Sequence, residues 1–217
     1  MDLDYGVILT KLPILFQGAL ITLEISVLAL ILGMVFGLSG ALFRLSKNRF
    51  LNFIGFVYVW IIRGTPLMVQ LFILYFGLPQ IGIKMSSFTA GVLGLAINTG
   101  AYVSEILRAG IQAIDEGQME AAKSVGMNYR QSMMRIIAPQ ALKISLPPLV
   151  NQFIMTLKNS SMASLVTITE LMRTGEQLIY TTFRSFEVYT LVAVIYLVMN
   201  SIFMLLAKSL ERRMKQG

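Results

Sequence analysis

Four ionisable side chains stand inside long apolar runs of this sequence: Glu24, Arg63, Glu105 and Lys158. A charge at the centre of a hydrocarbon layer costs about 3 kcal/mol on insertion scales, so each must be paired, hydrated or in use. Two are acids and two are bases, and mutual pairing is one way to satisfy all four. Glu24 falls in the outer part of the first run, where its carboxylate can reach the interface. Arg63 is followed by Gly64 and Pro66, and the missing proline N–H predicts a kink there. A guanidinium beside a kink can grip a carboxylate bidentately, or equally tie helix ends together. Asn98, Tyr102 and Glu105 follow i, i+4, i+7 and share one helix face, too polar to meet lipid. Arg108 can neutralise Glu105, or the carboxylate can meet a cationic group of a ligand. Asn151, Met155, Lys158 and Met162 share a second face, and Lys158-Asn159-Ser160-Ser161 interrupts it with polarity. Such a break is tolerated only beside a cavity or under protein. The candidate ligand-contact residues are therefore Arg63, Asn98, Tyr102, Glu105, Lys158, Ser161 and Met162. The sequence has no His and no Cys, which excludes imidazole and thiol catalysis and a Cys/His zinc site. No carboxylate pair has catalytic spacing and no G-x-x-x-x-G-K-[ST] loop is present, so neither a catalytic nor a metal site is expected.

The elements that carry these groups are membrane spans. Of 217 residues, 56% are hydrophobic and 13% charged, with mean hydropathy +0.72. The apolar residues form long runs rather than alternating. Five runs are long enough to cross a bilayer: about 14–43, 53–78, 88–107, 146–168 and 188–207. The expected fold is an all-α membrane protein, one transmembrane domain over 1–217. Gly33 and Gly37 in the first run have the small-xxx-small spacing that admits a second helix, from this chain or from a dimer partner. The leading Met1–Leu12 carries Asp2, Asp4 and Lys11 and reads as a retained segment, not a cleaved signal. Lys and Arg set the orientation. Arg44, Lys47 and Arg49, then Arg108, Lys123, Arg130, Arg135 and Lys143, then Lys208, Arg212, Arg213 and Lys215 fall on one side. Only Lys11, Lys84, Arg173 and Arg184 fall on the other. The N-terminus is expected outside and the C-terminus in the cytoplasm. The formal charge of +7 is thus a topology signal, not a nucleic-acid footprint.

The connection 108–145 is too short for an enzyme domain. Asp115, Glu116 and Gly117 lead into a helix over Gln118–Val125, Gly126 suits its C-terminal stop, and Asn128 caps a second segment, Tyr129–Ile137. Pro139 is expected to break it, and Pro147 with Pro148 to mark entry to the fourth span. Between the fourth and fifth spans, Glu170, Arg173, Glu176, Arg184 and Glu187 read as a charged, mostly solvated segment.

Glu120-Ala121-Ala122, Gly126, Ile136 and Pro139 in this order resemble the cytoplasmic signature of type I ABC importer permease subunits, with Ala138 where that family has leucine. Arg63-Gly64-Thr65-Pro66-Leu67-Met68-Val69-Gln70, Ala101-Tyr102-Val103-Ser104-Glu105-Ile106-Leu107-Arg108 and Leu146-Pro147-Pro148-Leu149-Val150-Asn151-Gln152-Phe153 are similar to its polar amino acid branch (histidine-, glutamine- and arginine-type permeases). The resemblance implies a multi-pass subunit of the bacterial inner membrane, not itself an enzyme. It implies a second permease subunit, identical or paralogous, two ATPase subunits that carry ATP and Mg, and an extracytoplasmic solute-binding protein; no cofactor is expected on this chain. A short coupling helix between the third and fourth spans, with Glu120, Ala121, Ala122 and Gly126, would dock into the ATPase. The external charged segment would help close an outer gate or meet the binding protein. The substrate is expected to be a polar amino acid: the two buried acids favour a basic one, or Glu105 reads the α-ammonium that every amino acid carries. The competing reading is a stand-alone secondary transporter or channel, against which the lack of a visible inverted repeat counts.

Overall fold

The computed structural model describes residues 5–216, and every element among them is helical. Asp2 and Asp4 lie outside the described residues, as do the side chains of Arg212, Arg213 and Lys215.

A short α1 (Tyr5–Leu9) precedes α2 (Leu12–Leu45), whose 34 residues rise about 51 Å. One face of α2 is made of small residues: Gly18, Ala19, Ser26, Ala29, Gly33, Gly37 and Gly40 are all buried, while Ile31, Val35, Leu38 and Leu42 stand exposed on the other. A water-soluble helix buries its apolar side; this one buries its small side and leaves bulky apolar residues for lipid. α3 (Arg49–Gly64) starts at Asn48, whose side chain accepts the Phe50 N–H. It gives way to α4 (Leu67–Phe72) across Thr65–Pro66, and the axes diverge by 106° between Arg49–Gly64 and Leu67–Ile81. The expected second span is therefore broken rather than kinked. The Gln70 side-chain amide donates to the carbonyls of Ile62 and Thr65 and to Thr65 Oγ1, satisfying acceptors that the break would orphan. A π-turn (Ile73–Gly77) and a 3₁₀ turn (Leu78–Ile81) complete the descent.

α5 (Ser87–Gln112), capped by Ser86, is the most buried long helix and lies along the glycine face of α2. A β-carbon on Gly33 would meet Thr99 Cγ2 at 2.9 Å, and one on Gly37 would collide with Val103 Cγ1. The small-residue spacing seen in the sequence thus serves a seam within the chain, not a helix of another copy. After α6 (Glu116–Ser124) and α7 (Tyr129–Ser132), a π-turn (Met133–Ile137) leads into α8 (Ala138–Asn159). Pro139 opens α8, and Pro147 and Pro148 lie inside it instead of at its entry. The helix is clasped against α5 at that level: a β-carbon on Gly110 would collide with Ser145 Oγ and come within 3.0 Å of the Ala141 carbonyl. Tertiary packing there overrides the two lost N–H donors. α8 ends in a 3₁₀ segment, Ser160–Val166. α9 (Leu171–Thr182) is amphipathic, and α10 (Ser185–Gln216) closes the chain.

Among the described residues three helices are long and apolar enough to span a bilayer (Leu12–Leu45, Ser87–Gln112, Ser185–Ser209), with the bent pair as a fourth. One core joins Ile25, Leu67, Leu71, Leu95, Ala163 and Val166; a second joins Leu15, Leu171, Leu178, Val188 and Val192 at the N-terminal end of α2.

Candidate functional site

The polar groups in the apolar layer fall into three places. The first is a cavity of about 460 Å³ between α3, α5 and α8, lined among others by Arg63, Tyr102, Glu105, Gly110, Ser145 and Pro148. Arg63, exposed at the broken end of α3, lays its guanidinium over the Tyr102 ring, 5.1 Å from the centroid. Glu105 is held by its own chain: Arg108 Nη2 donates to Oε2 at 2.7 Å and Arg44 Nε to Oε1 at 3.3 Å. Arg44, absent from the sequence-based candidates, also stacks on Phe56 at 5.4 Å. The Glu105 carboxylate is thus a fixed anion between two cations, and Arg63 is the cation of this cavity that no carboxylate among the described residues pairs.

The second place is a buried polar layer. Asn98 is 6% exposed and donates to Gln70 Oε1 at 3.1 Å, so α4 covers it and it stands apart from Tyr102 and Glu105 despite sharing their helix face. Beside it Thr99 and Thr156 exchange a hydrogen bond at 2.9 Å, linking α5 to α8, and Gln152 is buried one turn earlier on α8. Gln70, Thr99, Gln152 and Thr156 were not among the sequence-based candidates, although for the two glutamines an amide in an apolar run is itself the signal.

The third is a cavity of about 290 Å³ at the end of α8, lined by Lys158 and Ser161 together with Met172, Tyr189, Val192 and Tyr196. Ser161 Oγ donates to the Lys158 carbonyl, and Lys158 is exposed. Met162 is exposed just outside this cavity. Close by, Glu170 corrects the expectation of a solvated segment. It is fully buried at the start of α9 and accepts from the Met172 and Arg173 N–H groups, Thr22 Oγ1 and Tyr196 OH. Burial pushes its carboxyl above the ordinary range, and the four donors oppose that shift. Glu187 is also buried and paired with Arg184 at 3.0 Å.

The fourth candidate region is the loop between α5 and α8. Asp115 accepts from Gly117 N–H to start α6, and Asn128 with Gln131 forms a capping box that starts α7. Between them Gly126 takes φ +85°, a left-handed stop with no atom within 4 Å of where a β-carbon would sit. Glu120 and Ala121 face out beside Val125, which is 77% exposed, whereas Ala122 is buried against its own chain. The two alanines thus differ: one offers a shallow outer surface, the other lets α6 sit close to the π-turn.

Residues 29–216 match the family of binding-protein-dependent transport system inner membrane components. The chain is 37% identical to the glutamine transport system permease protein GlnP of Escherichia coli K12, with 99% of both chains covered. It is 38% identical to the arginine transport system permease protein ArtQ of Bacillus subtilis over the whole of both. Among solved structures, a chain of an amino acid ABC transporter with histidines superposes with a TM-score of 0.93 at 43% identity, covering 98% of this chain and 100% of that one. A chain of the inward-facing MetNI methionine ABC transporter shares the fold, with a TM-score of 0.78 at 20% identity.

Proposed function

This chain belongs to the family of binding-protein-dependent transport system inner membrane components, and from that premise we propose how it moves its solute. It is the membrane permease subunit of an amino acid ABC importer. It is not an enzyme, ATP hydrolysis falling to a separate ATPase subunit. In our reading the complex holds two permease subunits, two ATPases with their ATP and Mg, and an external binding protein, and this chain itself holds no cofactor. The chain crosses the bilayer five times, counting the broken α3–α4 pair and α8 with its 3₁₀ end as one crossing each. The N-terminus is outside and the C-terminus cytoplasmic, as the Lys and Arg distribution favours.

The carried solute is a polar amino acid. The observation that supports this is likeness over the full chain at similar identity to a glutamine permease and an arginine permease. Solute enters past Lys158, Ser161 and Met162, while the buried Asn98–Gln70 pair braces α4 against α5 beside the path. The solute then reaches the cavity in which Arg63 grips the α-carboxylate bidentately, against the Tyr102 face. That cavity, about 460 Å³, is of the size that small ligands occupy. Glu105, saturated by Arg44 and Arg108, orients the arginines and reads no solute charge directly. Closure of the ATPases on ATP carries α6 with them, through Glu120, Ala121 and the Gly126 stop, and the permease pair rocks as rigid bodies between inward- and outward-open states.

The test is reconstitution in vesicles with the cognate ATPase and binding protein, following uptake of labelled arginine, lysine, glutamine and leucine. ATP-dependent accumulation of the polar three is expected. Accumulation by vesicles holding this polypeptide alone would refute the scheme.

A further inference from the structure

The α2–α3 turn carries a feature that transport does not use. Where the chain leaves the apolar layer, Ser46, Lys47, Arg49, Asn52, Phe53 and Phe56 line an open cavity of about 420 Å³. Lys47 and Arg49 are exposed, and among the described residues no carboxylate lies within ion-pair distance of either; Arg44, nearby, is already committed to Glu105. Rising from the cavity along α3 is a row of aromatic rings at helical spacing, Phe53, Phe56 and Trp60, which are 62%, 46% and 66% exposed. From Arg49 to Trp60 the helix climbs about 16 Å, close to half of a ~30 Å hydrocarbon core. Two unpaired cations over a polar cavity, with a ring-lined track of one leaflet's depth leading away, match a phosphate diester joined to acyl chains. We propose that this site binds an anionic phospholipid, its headgroup between Lys47 and Arg49 and its chains along Phe53, Phe56 and Trp60. A free phosphate shares the headgroup chemistry but leaves the aromatic track unused.

Trp60 is the only tryptophan of the chain, which gives the site its own reporter. The assembled transporter is placed in bilayers whose phosphatidylglycerol, or in parallel phosphatidylcholine, carries brominated acyl chains, and quenching of bilayer-embedded indole is read. Each cation beside an anionic headgroup is worth about 1 kcal/mol, or roughly fivefold, so brominated phosphatidylglycerol is expected to occupy the track well beyond its mole fraction. Lys47→Gln with Arg49→Gln is expected to erase the preference, and the charge-conserving swap Lys47→Arg with Arg49→Lys to keep it. Equal quenching by the two lipids overturns the proposal, as does a preference that survives the glutamines. No quenching by either lipid would mean that protein covers the track, and loss of the preference on adding inorganic phosphate would mean a simple anion site; both overturn it. The first comparison uses the wild-type complex alone, so a variant that fails to assemble does not shelter the proposal.

Discussion

The α2–α5 seam gives the most constrained forecast. In Gly37→Ala the new β-carbon would collide with Val103 Cγ1 and lie 2.5 Å from Val103 Cβ and 3.1 Å from the Gly100 carbonyl. Carbon atoms rest at ~3.5–4.0 Å, so the helices must part by about 1.5 Å. A rotamer change at Val103 cannot relieve this, because Cβ is fixed by the backbone and a β-branched residue in a helix has one favoured χ1. Overpacking of this kind costs ~1–3 kcal/mol, and parting the helices also loosens the contacts at Gly33 and Gly40. Because the Val103 Cβ cannot move aside, the clash belongs in the upper half of that range, and after alanine's better helix propensity returns about 1 kcal/mol the net loss is roughly 1–2 kcal/mol. For a domain of this size that lowers Tm by about 2–8 °C, readable by thermal unfolding of the detergent-purified protein. Gly77→Ala is the control, since its β-carbon meets nothing nearer than 3.8 Å, and no loss is expected. Pairing Gly37→Ala with Val103→Gly removes the clashing atoms, so the double variant should be less damaged than the sum of the singles. A Gly37→Ala protein as stable as wild type, or strict additivity in the pair, would refute the seam as drawn.

Glu105→Gln strips Arg44 and Arg108 of their shared anion, and uptake is expected to fall alike for arginine and glutamine in a competition assay; selective loss of the basic substrate would restore a direct reading of solute charge. At Gly126, a side chain meets no steric obstacle but must accept φ +85°. Binding-protein stimulation of ATPase turnover should therefore be kept by Gly126→Asn, lowered by Gly126→Ala and lost by Gly126→Val or Glu120→Lys, with membrane insertion intact throughout. Tyr196→Phe removes one of the four donors to Glu170, worth ~1.5–3 kcal/mol for a bond to a carboxylate. Because burial raises the Glu170 carboxyl, the folded state holds that proton more tightly than the unfolded chain. The stability tied to it is present at acid pH and lost as pH rises, so the Tyr196→Phe deficit in Tm should be larger at pH 8 than at pH 5.

Local chemistry was readable from the sequence and long-range company was not. The Asp115, Gly126 and Asn128 signals act within three residues: α6 begins two residues before the expected Gln118 and stops at Gly126, and α7 starts at the expected Tyr129 but runs on through a π-turn into α8 instead of breaking at Pro139. Gly33 and Gly37 announced a close neighbour, but a small-residue face looks the same whether its neighbour is α5 or another subunit. Pro147 and Pro148 read as a boundary because the contact between Ser145 and Gly110, which holds α8 through them, joins residues far apart in the chain. Glu170 read as solvated for the same reason: two of its four donors, Thr22 and Tyr196, are remote.

The irregular backbone then has a rationale that no single element supplies. Non-helical chain at membrane depth survives only under protein or beside a cavity. Two stretches depart from the α-helix here, the break and turns that flank α4 within 65–81 and the chain 160–168 after α8, and they cover one another. Leu67 and Leu71 pack with Ala163, Val166 and Ile168, and the Tyr75 and Thr167 hydroxyls meet at 3.1 Å, Thr167 at φ +68°. Against them stands the α2–α5 pair, locked by glycines that admit no slack. A rocking permease needs one part that transmits displacement and another that absorbs it. The seam has the first property, because its helices cannot slide without a clash. The paired breaks have the second, because the Gln70 amide there meets backbone carbonyls and a Tyr75–Thr167 hydroxyl pair ties the two stretches, bonds that can exchange partners without unwinding a helix.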